Sequence, residues 1–343
     1  MKDNGTKKLI RNMAFFVALI LITLYIILKD QSITEIISVF DNVKAQYIAI
    51  GIICMGIYIF LEGYNIRRTL KILGEKISIL QATKYSFIGF FFSSITPAAS
   101  GGQPMQIYYM HKDKVSVANS TLALLINLTS MQIVTITIAL VSLIFNYKFM
   151  NRVLIILFAI GVSLNICALA ILIISIFSKR LSRWLIGVAI RILKIFRIKN
   201  IKEKKYKLVV ELKSYQKSAK YIKAHKKLMA KILITTLVQF LVYYSVAFWT
   251  YRALGFTTGN IVEITTMQSV LFASVSCIPL PGSVGASEGA FIEVFRNLYP
   301  ANMIKSATLL HRAINFYMVV LLSAIVVVIN DIRTRRKEAQ KAE

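Results

Sequence analysis

The chain has 343 residues, 57% of them hydrophobic, and its mean hydropathy of +0.65 excludes a soluble globular domain, which has no means of burying so much apolar surface. Its 42 Lys and Arg outnumber 15 Asp and Glu, for a formal charge of +27. In a membrane protein such an excess belongs in cytoplasmic loops or against polyanions.

Lys2, Lys7, Lys8 and Arg11 precede a first apolar run at 10–28. That run lacks a small-residue cleavage site and is long enough to stay as an anchor, so it is expected to be retained. Further full spans are expected at 46–63, 117–145, 153–177, 232–252 and 305–329, each near the ~20 residues that cross a bilayer. Arg67, Arg68, Lys71 and Lys76 follow the second span, and Arg333, Arg335, Arg336 and Lys337 close the chain. Basic residues near span ends stay on the cytoplasmic side, which assigns both termini to the cytoplasm of a multi-pass protein of the cell membrane. Segment 178–231 holds 18 of the 42 Lys and Arg with only Glu203 and Glu211 as acids, and is the expected main cytoplasmic loop.

Two regions are broken. Four of the five prolines fall in Thr96-Pro97-Ala98-Ala99-Ser100-Gly101-Gly102-Gln103-Pro104 and in Pro279-Leu280-Pro281-Gly282-Ser283-Val284-Gly285-Ala286-Ser287-Glu288, each inside a long apolar stretch. Irregular backbone at membrane depth is tolerated only when buried in protein or lining a wet cavity. The charge pattern makes 82–111 enter and leave on the cytoplasmic face and 261–298 on the outer face, so two re-entrant helical hairpins point at each other. Opposed hairpins in the two halves are the arrangement expected of an inverted repeat around a midplane transport site. The alternative is a pair of short spans joined by a tight turn. Fold and organisation are thus expected to be a single all-α polytopic domain over 1–343, with six full spans and two hairpins.

Within the first hairpin, Ser100 to Gly102 supply flexible backbone and Pro104 suits the first turn of a helix continuing through Gln106, Tyr108 and Tyr109. In the second, Gly282 and Gly285 allow the turn, Ser287 is the expected N-cap, and a helix runs on from Glu288. Helix N-termini at both tips would offer N–H groups and positive dipole ends to an anion; packing through small residues is the alternative. Glu288 and Arg312 are intramembrane charges, expected either as a charged lining or as a structural ion pair. Glu62 is expected at the interface, and His111 and His311 as interfacial or packing residues. Cys54, Cys167 and Cys277 are isolated thiols without CxxC or Cys/His spacing, so neither disulfides nor a metal is expected, and no cofactor.

In the basic loop, Arg183, Arg191 and Lys194 oppose Trp184, Leu185, Val188, Ile192, Ile195 and Phe196, the pattern of an amphipathic surface helix on anionic lipid. RNA is the competing partner, disfavoured because Lys predominates and no RNA-binding motif accompanies it. No Walker A, GxSxG or HExxH motif is present, and no soluble stretch is long enough for a separate catalytic domain.

Thr96-Pro97 with Gly101-Gly102-Gln103-Pro104, Pro279 with Pro281-Gly282, Gly285 and Glu288, and Arg312 in the last span resemble the lysylphosphatidylglycerol synthase transmembrane family over nearly the whole chain. These are flippase-like proteins also found as the N-terminal part of large phosphatidylglycerol lysyltransferases. Many members carry an arginine shortly after the first glycine motif and a second glycine after the Pro-Gly; Gln106 and Ser283 stand near those places here. The resemblance implies a translocase moving a phospholipid or aminoacyl-phospholipid such as lysylphosphatidylglycerol between leaflets, linked to resistance to cationic antimicrobial peptides. Its partners would be membrane phospholipids and a separate lipid synthase. A lysyltransferase acting on phosphatidylglycerol with lysyl-tRNA, or a membrane subunit of one, is the alternative. The implied pathway joins Thr96, Pro97, Ser100, Gly101, Gly102, Gln103, Pro104, Gln106, Tyr109, Pro279, Pro281, Gly282, Ser283, Gly285, Glu288 and Arg312. The chain ends shortly after the last span, so it is expected to correspond to the membrane part alone.

Overall fold

The computed structural model describes residues 43–146, 152–177, 210, 213, 215–221 and 224–339. The expected span at 10–28, its basic flank and the amphipathic segment at 183–196 lie outside them. In chain order the helices are α1 (Ala45–Ile72), α2 (Ile79–Ser94), α3 (Gly102–Lys112), α4 (Val117–Asn146), α5 (Arg152–Phe177), α6 (Lys226–Ala253), α7 (Ile261–Val275), α8 (Ala286–Phe295), α9 (Ile304–Arg312) and α10 (Met318–Ala339). No strand occurs among the described residues. Helices α1, α4, α5, α6 and the joined run Ile304–Thr334 are long and apolar enough to cross a membrane. The protein is an all-α, multi-pass membrane protein.

Several boundaries differ from the sequence-based expectation. Helix α1 continues to Ile72 rather than ending at 63, because its arginines find partners without breaking it: Arg67 Nε donates to Ile77 O at 3.1 Å and Arg68 Nη1 to Thr235 Oγ1 at 3.0 Å. Helix α6 starts at Lys226, and residues 215–221 are helical, with Tyr215 and Ala219 buried beside Ala118, Leu122 and Ile126 of α4. Part of the expected basic loop is therefore packed structure.

Helices α2 and α3, and α7 and α8, form two helix–break–helix hairpins. The arms hold 16 and 11 residues in the first and 15 and 10 in the second, all short of the ~30 Å hydrocarbon core at 1.5 Å per residue. Both ends of the first hairpin meet at one base, where Lys84 Nζ and Tyr85 Oη each approach Asp113 Oδ2 at 2.6 Å. This base lies by the C-terminal end of α1, since Glu75 accepts from Ser116 N and Asn119 Nδ2. The base of the second hairpin adjoins the C-terminal end of α6, where Tyr251, Phe256 and Tyr299 pack their rings together. Lys44, just before α1, donates its N–H to Ala253 O at the end of α6, so the two bases sit at opposite ends of α1.

Sequence dictates the hairpin geometry locally. A capping box between Ser78 and Gln81 starts α2, and the Asn260 side chain accepting from Glu263 N starts α7. Close crossings need glycine: a Cβ at Gly63 would stand 2.8 Å from the Thr83 backbone, and one at Gly102 would collide with Ser93 Oγ. Polar ties join the long helices, as where Asn65 Nδ2 of α1 and Ser130 Oγ of α4 both reach Thr236 Oγ1 of α6 at 3.0 Å.

The two tips share a backbone course. Each enters through an extended residue, Thr96 (φ −120°, ψ 142°) or Leu280 (φ −104°, ψ 142°), and continues into a 3-10 turn begun by Pro97 or Pro281. Each then passes two left-handed residues, Ala98 and Ala99 in the first and Gly282 and Ser283 in the second. A left-handed conformation costs a residue with a Cβ about 1–2 kcal/mol, so three of these four positions carry strain. The two turns lie against each other.

Candidate functional site

A cavity of about 270 Å³ opens where the tips meet, lined from both hairpins and from α1, α4, α6 and the final helical run. Its volume approaches the ~300–1,000 Å³ of ordinary ligand sites.

Glu288 and Arg312 form an ion pair beside it, with Nε to Oε1 at 2.8 Å and side chains only 2% and 6% exposed. Tyr317 Oη donates to the same Oε1 at 3.1 Å, and Gly285 N donates to Oε2 at 2.7 Å. Arg312 Nη2 donates to Gly282 O at 3.1 Å, and the guanidinium stacks 4.1 Å over the Phe316 ring. The turn at Gly282 and the start of α8 at Gly285 are thus both held by one pair. Ser287, expected as the N-cap, instead occupies the first turn of α8; Gly285, at φ +87°, is the cap, and Glu288 reaches back to its amide. The positive end of α8 is consequently already met by an internal carboxylate.

After Arg312 the helix widens into a π-turn, Ala313–Tyr317. Such turns redirect side chains, and this one brings Asn315 and Phe316 to the cavity wall. His311 is buried, stacks on Phe291 at 4.9 Å and accepts at Nε2 from Asn315 Nδ2 at 2.8 Å, consistent with a packing histidine. Its Nδ1, Asn315 Oδ1 and Gln268 Oε1 are buried wall atoms without a hydrogen-bond partner among the described residues.

Glu62, expected at the interface, lines this cavity. With α1 running to Ile72, about 15 Å of helix separates it from the helix end. Gln106 Nε2 donates to its Oε1 at 3.4 Å and to Tyr85 O at 3.0 Å. None of the ion pairs among the described residues involves Glu62. A carboxylate inside an otherwise apolar span was the signal, obscured by Arg67 and Arg68 just beyond it.

Of the residues singled out from sequence, Glu62, Gln103, Gln106, Gly282, Ser283, Ser287, His311 and Arg312 line the cavity, with Glu288 paired to Arg312. Thr96, Pro97, Ser100, Gly101, Gly102, Pro104, Pro279, Pro281 and Gly285 shape the tips. Thr96 Oγ1 donates to Phe92 O at 2.6 Å and accepts from Gly101 N at 2.9 Å, fastening the first turn. Tyr109 is not at the cavity; its hydroxyl donates to Asp331 Oδ1 at 2.9 Å and ties α3 to α10 near the first hairpin's base.

The sequence model of the family described as "Lysylphosphatidylglycerol synthase TM region" matches residues 13–323 of this chain. No curated protein matches it.

Proposed function

From the premise that the chain belongs to the lysylphosphatidylglycerol synthase transmembrane family, whose membrane region implies a lipid-related function, we propose that it is a translocase that carries the headgroup of an aminoacyl-phospholipid between leaflets through the cavity at the hairpin tips. The observation that carries this reading is Glu62. A carboxylate without a cationic partner among the described residues faces a cavity whose wall also holds the unpartnered acceptors Asn315 Oδ1 and Gln268 Oε1. A buried carboxylate is costly alone, and an ammonium group, with three donors and a positive charge, is the kind of ligand that a wall of acceptors around a carboxylate suits. The lipid phosphate falls to Arg312 and to the first turn of α3 at Gln103, the tip whose helix start carries no internal acid. Acyl chains stay in the bilayer while the headgroup crosses. The cell membrane, cytoplasmic termini and the inverted repeat belong to this proposal, supported by the basic-residue distribution and the matching backbone of the two tips.

Liposomes containing only this protein test it. Exchange of lysylphosphatidylglycerol above empty liposomes is expected, with Glu62→Gln slowing it at least tenfold more than it slows phosphatidylglycerol, since a lost charge-assisted bond is worth about 1.5–3 kcal/mol. Equal effects on both lipids would remove Glu62 from headgroup recognition. The transferase reading predicts instead that the purified protein forms lysyl-lipid from lysyl-tRNA, and the subunit reading that deleting residues 200–209, which spares the packed helix at 215–221, abolishes capture of a synthase.

A further inference from the structure

We infer that a second lipid site, for the phosphate of an anionic phospholipid, lies at the base of the first hairpin, well away from the cavity at the tips. A cleft of about 790 Å³ opens there between the start of α2, the end of α3 and the last turns of α10. It is large enough for a glycerophosphate headgroup with the first carbons of its chains. Its wall carries Lys84, Lys112, Lys114 and Arg333 against one acid, Asp113.

That acid is already engaged. Asp113 Oδ2 takes both Lys84 Nζ and Tyr85 Oη at 2.6 Å. Asp331, on the same stretch of α10 as Arg333, is held by the Tyr109 hydroxyl. Lys112 leans over the rings of Tyr108 and Tyr109 at 4.9 and 5.8 Å, which orders its stem while its ammonium remains exposed. Lys112, Lys114 and Arg333 therefore remain as charges that no acid among the described residues pairs. Helix α2 also begins here, and its positive end adds to the field.

The other wall is apolar. Leu80 is 79% exposed, and Ile325 and Ile329 stand exposed on α10, continuing its lipid-facing side down to the cleft. A cationic floor beside an exposed apolar wall fits a molecule that is anionic at one end and hydrocarbon at the other, and it fits a soluble anion poorly. The base is the end from which the C-terminus leaves, so the leaflet involved is the one the basic residues assign to the cytoplasm. The cleft shares no lining residue with the tip cavity, so it can load or retain anionic lipid while the tips are occupied.

Calorimetric titration of the full chain in detergent with dihexanoyl-phosphatidylglycerol, with phosphatidylcholine of the same chains and with inorganic phosphate tests this. The readout is the difference between wild type and a Lys112→Gln, Lys114→Gln, Arg333→Gln variant. Phosphatidylglycerol binding is expected to weaken roughly a hundredfold, at about 1 kcal/mol for each of three charges, with phosphatidylcholine unaffected and wild-type affinity falling with added salt. A Lys112→Arg, Lys114→Arg, Arg333→Lys variant is expected to bind like wild type, which guards against misfolding in the first. Unchanged binding in the Gln variant, equal losses in both variants, or equally tight binding of inorganic phosphate would each overturn the assignment. Absence of any leaflet exchange would sink the translocase reading and leave this binding result untouched.

Discussion

At the residue scale, the Glu288–Arg312 pair raises a question of role that substitution answers. Removing one partner leaves the other charge buried, which costs about 3–5 kcal/mol, whereas replacing both by apolar residues of similar size is often neutral or better. Glu288→Gln alone is therefore expected to lower the melting temperature. Glu288→Leu with Arg312→Met should restore it, as read by thermal unfolding in detergent. If the pair serves transport, the double variant folds but does not exchange lipid; if it exchanges normally, the pair only fastens the second tip. Gly282 is a second sensitive position. It holds φ +58°, and a Cβ there would collide with the Phe316 ring that carries Arg312. Gly282→Ala is expected to displace Phe316 and reduce exchange, and retention of full activity would separate the ring's position from transport.

Among the elements, the long apolar helices were legible because ~20 apolar residues in a row have few other homes. The breaks were legible because Pro and Gly together interrupt a helix that lipid would otherwise enforce. What remained hidden depended on distant partners. Helix α1 continues through Arg67 and Arg68, whose partners Ile77 O and Thr235 Oγ1 lie 10 and 167 residues away, and Glu62 faces the cavity instead of closing the helix. Tyr109 shares a helical face with Gln106, three residues earlier, and sequence alone assigned both to the pathway. Its actual partner, Asp331, is 222 residues away. Ser287 resembled a cap, yet the positive φ of Gly285 and the backward reach of Glu288 start α8 two residues earlier. Packing of the first hairpin rests on Gly63, where α1 and α2 cross. Gly63→Leu is expected to pry these helices apart, with lower stability in thermal unfolding and loss of the Gln106–Glu62 contact; an unchanged melting temperature would contradict so tight a crossing.

For the molecule as a whole, the central feature is that two short hairpins with bases at opposite ends of α1 bring like-shaped tips together around one cavity. Neither tip encloses that space alone. On the proposed function a headgroup passes only if the tips part, while the left-handed Ala98, Ala99 and Ser283 give each turn a strained, specific shape. Fixing the tips together is accordingly the most direct test. In a background with Cys54, Cys167 and Cys277 replaced, Ala99→Cys and Ser283→Cys put one thiol on each of the touching turns. A short reducible bis-thiol reagent then links them in protein reconstituted into liposomes, and exchange of labelled lysylphosphatidylglycerol is followed. Exchange that stops on linking and returns with reductant is the predicted result; exchange that proceeds undiminished through linked tips would contradict a path between them.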